Sequence, residues 1–264
     1  GDAIVIYDGA TPLKYEIVGE GGDTKADFAG EALSGNTKLY PAFYPYADCI
    51  DITEGQNLFV YEFPSVIKKA AENYEQNVMI GLCDGSNVQM KNCASYVKLA
   101  YSTNIISFVD SIKIEAVGGE PLCGKFRFGI DGATGVPFAI ADEGLTAENS
   151  KVVVKFDAAE ILTTNATTFY VALPPVELTQ GLKFTFYGDF NGESEREFIS
   201  STATLERNVV LDMEKIVTNY KLDIAEVTIG SGDPVVYENV NKAFESALGA
   251  TEPVLIKMLN SGSF

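Results

Sequence analysis

The sequence contains no histidine and no tryptophan in 264 residues. Without His, Ser-His-Asp and Cys-His catalysis, imidazole general bases, imidazole-ligated zinc and the usual haem ligation are excluded. Without Trp there is no indole platform for a sugar ring, and 13 Tyr and 16 Phe supply the aromatic surface. Any enzyme chemistry would fall to carboxylates, Lys, Tyr or Cys. Cysteine is scarce: Cys49, Cys83, Cys93 and Cys123, with no Cys-x-x-Cys pair. Four in this length is far from a disulfide-dense scaffold. Each sits in or beside an apolar stretch and reads as a buried free thiol, with one or two disulfides as the alternative. Positive charge is also short. Lys and Arg total 19 against 37 Asp and Glu, a net charge of −18, so nucleic acid and anionic membrane surfaces would repel the chain. No run approaches the ~20 apolar residues of a membrane helix, so no span is expected. No charged-then-apolar leader opens the chain. It begins directly in the strand-like Ala3-Ile4-Val5, which reads as a mature or trimmed form.

What is present favours a packed β protein. Apolar residues make up 46% and charged residues 21%, enough for a core. The dominant period is two. Ile112-Lys113-Ile114-Glu115-Ala116, Lys125-Phe126-Arg127-Phe128-Gly129-Ile130 and Leu182-Lys183-Phe184-Thr185-Phe186 alternate apolar with polar, as half-buried strands do. Lys151 to Phe156 and Thr168 to Leu173 are rich in β-branched and aromatic residues and read as strands too. Asn191-Gly192 between two such runs predicts a hairpin, because both residues tolerate positive φ. Helical signal is sparse. Val66 to Tyr74 after Pro64 has room for two turns. Val240, Phe244, Ala247 and Leu248 line a better helical face, with Asn239 placed to cap it and Gly249 to stop it.

These patterns predict an all-β fold of antiparallel sandwiches in three segments. Residues 1–92 are Tyr- and Gly-rich, residues 93–218 hold the strongest alternation, and residues 219–264 read as strand, turn, strand, helix, strand. The last segment is a short α/β extension, too small for an independent core. It either docks on the second domain or opens a further module.

Several motifs invite chemistry and read as structure. Gly119-Glu120-Pro121-Leu122-Cys123-Gly124-Lys125 matches seven positions of a phosphate-binding loop, but Phe126 replaces the magnesium-binding hydroxyl and a strand pattern follows. It reads as a turn between strands. Gly19-Glu20-Gly21-Gly22-Asp23 imitates part of a dinucleotide fingerprint with no helix after it and reads as a loop. Asp189, Asn191, Glu193, Glu195 and Glu197 suggest calcium, yet Ser194 and Ser200 stand where an EF-hand needs Gly and Glu. They read as an acidic hairpin tip. Thus no catalytic, cofactor-binding or metal residue is nominated. The one candidate ligand surface is Tyr40, Phe43, Tyr44 and Tyr46, within Tyr40-Pro41-Ala42-Phe43-Tyr44-Pro45-Tyr46. Those rings would stack on a glycan, against the plainer reading that they fill a core.

Several phrases in order also resemble one family. Gly1-Asp2-Ala3-Ile4-Val5-Ile6-Tyr7, Phe28-Ala29-Gly30-Glu31 and Phe43-Tyr44-Pro45-Tyr46 resemble the first domain of the fimbrillin-like surface pilins and lipoproteins of gut and oral anaerobic bacteria. Asn92 to Leu99 resembles the strand that opens their second domain, and Ser111 to Ile114 followed by Gly118 to Phe126 resembles the next hairpin. Tyr170 to Pro175 and Gly181 to Phe186 resemble its later strands, and Leu205 to Asn208 its closing strand. The resemblance spans about residues 1–217. It implies two transthyretin-like, Greek-key β-sandwich domains (1–92, lacking its first strands, and 93–218), with 219–264 as an added β-α-β piece. It implies an exported, lipid-anchored precursor at the outer membrane or in a fimbria, and no catalytic residues. It also implies subunits that join by exchanging β-strands, with self, other fimbrillin-like subunits, or a surface glycan or protein as partners. Strand exchange is β-augmentation: main-chain hydrogen bonds give affinity and alternate side-chain pockets give register.

Overall fold

The computed structural model describes residues 2–19, 25–33, 39–49, 51–53, 58–69, 78–201, 203–220 and 225–259. The first strands are β1 Ala3–Tyr7, β2 Pro12–Val18, β3 Asp27–Gly30, β4 Tyr40–Tyr44, β5 Asp51–Thr53, β6 Leu58–Phe63, β7 Val66–Lys69, β8 Met79–Cys83 and β9 Lys91–Asn92. They continue with β10 Ser95–Thr103, β11 Ser107–Ala116, β12 Gly124–Ile130, β13 Pro137–Ala141, β14 Lys151–Leu162, β15 Thr167–Leu173, β16 Val176–Leu178, β17 Leu182–Phe190 and β18 Glu193–Ile199. The last are β19 Ala203–Leu205, β20 Val210–Asp212, β21 Ile216–Thr218, β22 Ala225–Ile229 and β23 Val235–Tyr237, then helix α1 Val240–Ala247 and β24 Val254–Met258.

The strand runs read from the period-two pattern are all strands. Asn191 (φ 59°) and Gly192 (φ 86°) turn β17 into β18. Positive φ at both turn centres matches the right-handed twist of the flanking strands. The Asn239 side chain accepts hydrogen bonds from the N–H groups of Asn241 (2.8 Å) and Lys242 (3.4 Å), capping α1. One expected helix is corrected: Val66–Lys69 is a strand parallel to β14, with Val153 opposite Val66 and Lys155 opposite Lys68. The inter-strand ladder there outweighs a weak helical preference. The rest of that stretch, through Tyr74, lies outside the described residues, as do residues 20–23 of the glycine-rich loop.

The strands form two sandwiches. In the first, a six-stranded sheet (β3-β2-β1-β4-β8-β9) faces a four-stranded one (β13-β12-β6-β5), with Phe43 stacked on Phe59 at 5.4 Å between them. In the second, a five-stranded sheet (β18-β17-β11-β14-β7) faces one built on β15-β10-β20, with β21 also on β10. Tyr101 meets Phe186 there at 4.9 Å between ring centres. Pairing is antiparallel except for β7 on β14 and for β20 and β21 on β10. Those parallel partners are far apart in sequence, as parallel pairing requires.

Strand pairing runs across residue 92. β12 and β13 complete the sheet begun by β5 and β6, and β7 completes the sheet of β11, β14, β17 and β18. One hydrophobic cluster accordingly contains Val5, Phe43 and Phe59 together with Leu99, Ile112 and Phe186. A second cluster, Ile4, Ile6, Tyr40, Ala42 and Cys83, covers the other face of the six-stranded sheet. A small third one, Ala225, Val227 and Ala243, lies between α1 and the β23-β22-β24 sheet.

Candidate interaction surfaces

The aromatic segment is divided by the pleat of β4. Successive strand side chains point to opposite faces, so Tyr40 and Phe43 face different layers. Tyr40 joins the cluster on the outer side of the six-stranded sheet and Phe43 joins the main core. Both are buried. Tyr44 is half-buried, and burial, followed by the nearby Asp2 and Asp48 carboxylates, pushes its phenol up. Tyr46 is 37% exposed, and the Lys14 ammonium lies 5.4 Å from its ring centre. The four nominated rings therefore do not share one surface.

The other nominated motifs are committed to the fold. The phosphate-loop look-alike runs into β12 rather than a helix. Glu120 accepts hydrogen bonds from the Thr179 N–H (2.7 Å) and hydroxyl. Burial opposes its ionised form, but these bonds outweigh it and hold the carboxyl below the usual glutamate range. At the acidic hairpin, Asp189 accepts from Gly192 N–H at 3.2 Å, Glu193 pairs with Arg196, and Glu197 pairs with Lys183 at 3.5 Å. Among the described residues no three of Cys, Asp and Glu converge as metal ligands would. All four cysteines are free thiols, three of them buried. Burial pushes Cys93 up to about 12, and burial, then the Asp51 charge, pushes Cys49 up to about 12. Such thiols are poor nucleophiles at neutral pH.

The outer face of the five-stranded sheet carries a charge ladder that the alternation showed only as polar positions. Glu115 receives Lys113 and Lys183, each at 3.0 Å, and Lys183 continues to Glu197. Burial opposes ionisation of Glu115, and the two lysines reverse it, so its carboxyl lies below the usual range. On the opposite face of the edge strand β18, Arg196 lies across from the buried Phe186 and stacks over Tyr220 at 5.2 Å. Within the facing sheet, the Tyr101 hydroxyl on β10 meets that of Thr218 on the adjacent β21 at 3.1 Å. Charge thus tiles one face while aromatic rings fill the other.

The edge strands are the remaining surfaces. β18 presents Glu193, Glu195, Arg196 and Glu197, and β7 presents Lys68. Charge on an edge discourages pairing with another chain. β13, Pro137-Phe138-Ala139-Ile140-Ala141, carries none. Its Phe138 is 38% and its Ile140 48% exposed.

No protein-family model matches the chain, and no curated protein matches it. Solved structures do. Two carry the name "putative cell adhesion protein". The one from Bacteroides uniformis ATCC 8492 is 15% identical over 81% of this chain and 87% of that one, with a TM-score of 0.46. The one from Bacteroides ovatus ATCC 8483 is 13% identical over 80% and 81%, also with a TM-score of 0.46. A fimbrial protein from Bacteroides ovatus ATCC 8483 is 12% identical over 90% of this chain, with a TM-score of 0.37. This chain spans 49% of that fimbrial protein's length. Among the described residues no helix is long and apolar enough to cross a membrane.

Proposed function

We propose that this protein is a non-enzymatic structural or adhesive component of the bacterial cell surface, exported and held at the outer membrane or in a fimbria. In this reading it joins other subunits, its own kind or fimbrillin-like relatives, by β-strand pairing. The observation that carries the reading is strand sharing inside the chain. β7 leaves the segment it belongs to and completes a sheet of the second sandwich, while β12 and β13 complete a sheet of the first. A sheet that lacked one of those strands would expose both ladder groups and apolar pockets, and a strand of another subunit would fill that gap by the same pairing. The sequence resemblance to fimbrillin-like proteins and the −18 charge, unsuited to nucleic acid, point the same way. The test is immunogold labelling of intact source cells. Gold on the envelope or on filaments supports the reading; gold only in lysed cells overturns it.

A glycan-binding alternative reduces to Tyr44 and Tyr46, the two nominated rings that keep exposure. Under it, Tyr46→Ala abolishes the signal on a glycan array at an unchanged thermal midpoint. An array with no signal for the wild type removes the alternative.

A further inference from the structure

We infer that β13 is a self-association site at which two copies of this chain pair edge to edge, antiparallel, about a two-fold axis through Ala139. Among edge strands of five or more described residues, it alone combines a lack of charge with large exposed apolar side chains. β18 is charged, β24 contains Lys257, and the apolar side chains of β15 at Phe169, Val171 and Leu173 are buried.

The hydrogen-bond register decides which groups are free. Asp142 N–H donates to Lys125 O and Asp131 N–H donates to Val136 O, each between residues directly opposite on β12 and β13. In an antiparallel ladder, bonded pairs alternate with non-bonded ones. Phe138 and Ile140, opposite Gly129 and Arg127, therefore direct their backbone groups to β12. Pro137, Ala139 and Ala141 direct theirs outward. The open edge offers three carbonyls but only two N–H groups, since Pro137 has none.

That inventory is self-complementary. With Ala139 opposite Ala139 of the second copy, those two residues exchange both bonds. Each Ala141 N–H donates to the other copy's Pro137 carbonyl. All outward donors are then used, and the missing proline donor leaves only the Ala141 carbonyls to water. The same register sets Phe138 opposite the second copy's Ile140, twice, at the closer non-bonded positions. Aromatic and β-branched residues in such pairs attract each other. Sliding by two residues one way would instead set Phe138 against Asp142, and sliding the other way would leave the strands only the two bonds from Ala139 N–H to the Pro137 carbonyl in place of four.

Two properties follow. A five-residue strand buries less than the ~800 Å² per partner of a stable interface, so the association is weak. Two chains of charge −18 repel, so salt strengthens it by screening. Both distinguish this dimer from strand exchange between subunits, and its loss would leave surface labelling of cells intact.

Sedimentation equilibrium of the full chain tests the inference. The expected result is reversible dimerisation by roughly 500 μM protein, stronger at about 0.3 M than at about 0.02 M salt. Ala139→Pro removes an outward N–H and no β12 bond, and Ile140→Lys places a charge at an exposed position. Each is expected to weaken dimerisation at least tenfold at an unchanged thermal midpoint; Ile140→Lys serves alone if Ala139→Pro unfolds. Register is read by oxidation. Phe138→Cys and Ile140→Cys proteins mixed together are expected to cross-link, and neither alone. Wild type that is monomeric at both salts, a dimer unaffected by Ile140→Lys, or cross-linking of either single variant alone would each overturn the proposal.

Discussion

Replacing Phe128 by Ala asks whether the two sandwiches are one cooperative body. Phe128 is 1% exposed on β12, opposite Phe59 of β6, with its ring 6.1 Å from Phe63 and 6.5 Å from Tyr61. Its backbone belongs to the middle of the sequence and its neighbours to the first third. A buried aromatic removes roughly 200 Å² from water, about 5 kcal/mol at ~25 cal/mol per Å², and that is an upper limit because the unfolded chain already buries part of it. Measured large-to-small changes at such sites cost about 3–5 kcal/mol. At about 2–4 °C per kcal/mol for a chain of this size, the midpoint should fall by roughly 6–20 °C. Differential scanning calorimetry is the assay, with near-ultraviolet dichroism of the tyrosines as a second probe. One shared core demands one main endotherm that moves as a whole, with both probes moving together. Two endotherms of which only one shifts would refute the reasoning, and so would a loss below about 1 kcal/mol.

Glu115→Gln should cost about 1–2 kcal/mol, a charged hydrogen-bond contribution discounted for solvent. Because the folded carboxyl lies below its unfolded value, its stabilisation is present above the unfolded value near 4.5 and lost as pH falls; the variant's deficit, read by urea melts, should shrink toward pH 3. Cys93 behaves oppositely. Its folded thiol is raised from 9.0 to about 12, so stability falls as pH rises above about 9, and a thiol reagent at pH 8 should label it only after unfolding. Asn239→Ala should cost about 1 kcal/mol by removing the cap of α1, seen as faster amide exchange confined to residues 225–259 with an unchanged main calorimetric transition.

Local chemistry made much of the fold legible. The strands whose outer residues stay half-wet, such as Ile112 to Ala116, announced themselves by alternation. Asn191-Gly192 and Asn239 act within a few residues of themselves, so turn and cap were readable without knowing what lay around them. Val66-Ile67-Lys68-Lys69 was not readable, because its strand character comes from β14, more than eighty residues away. Nor was the fate of Tyr40 and Phe43. The sequence showed a dense aromatic run, but only a β4 covered on both faces sends alternate rings into separate cores. Phe138 and Ile140 sat in a plain apolar stretch. That they stay exposed follows from β13 being outermost in its sheet, a property of strand order that no window of sequence contains.

The charge distribution and the strand order become one argument at the edges. A chain built from so many short sheets has many unpaired ladders, and each invites a neighbour. β18 answers with alternating charges that also serve the sheet: Arg196 ties to Glu193 and Tyr220, and Glu197 to Lys183. β7 sets Lys68 beside Lys155 in register, a like-charge pair that costs the sheet something locally and further discourages a second strand. With such protection placed elsewhere, the bare Pro137–Ala141 edge is a difference within one molecule rather than a general property of its fold. Its single proline removes a donor that would otherwise bond the second copy's Ala141 carbonyl, which costs the two-fold pairing centred on Ala139 two bonds, so the edge pairs weakly. A weak, salt-strengthened contact between highly acidic copies fits the proposed place at the cell surface, where crowding against its own kind would supply the local concentration the interface lacks.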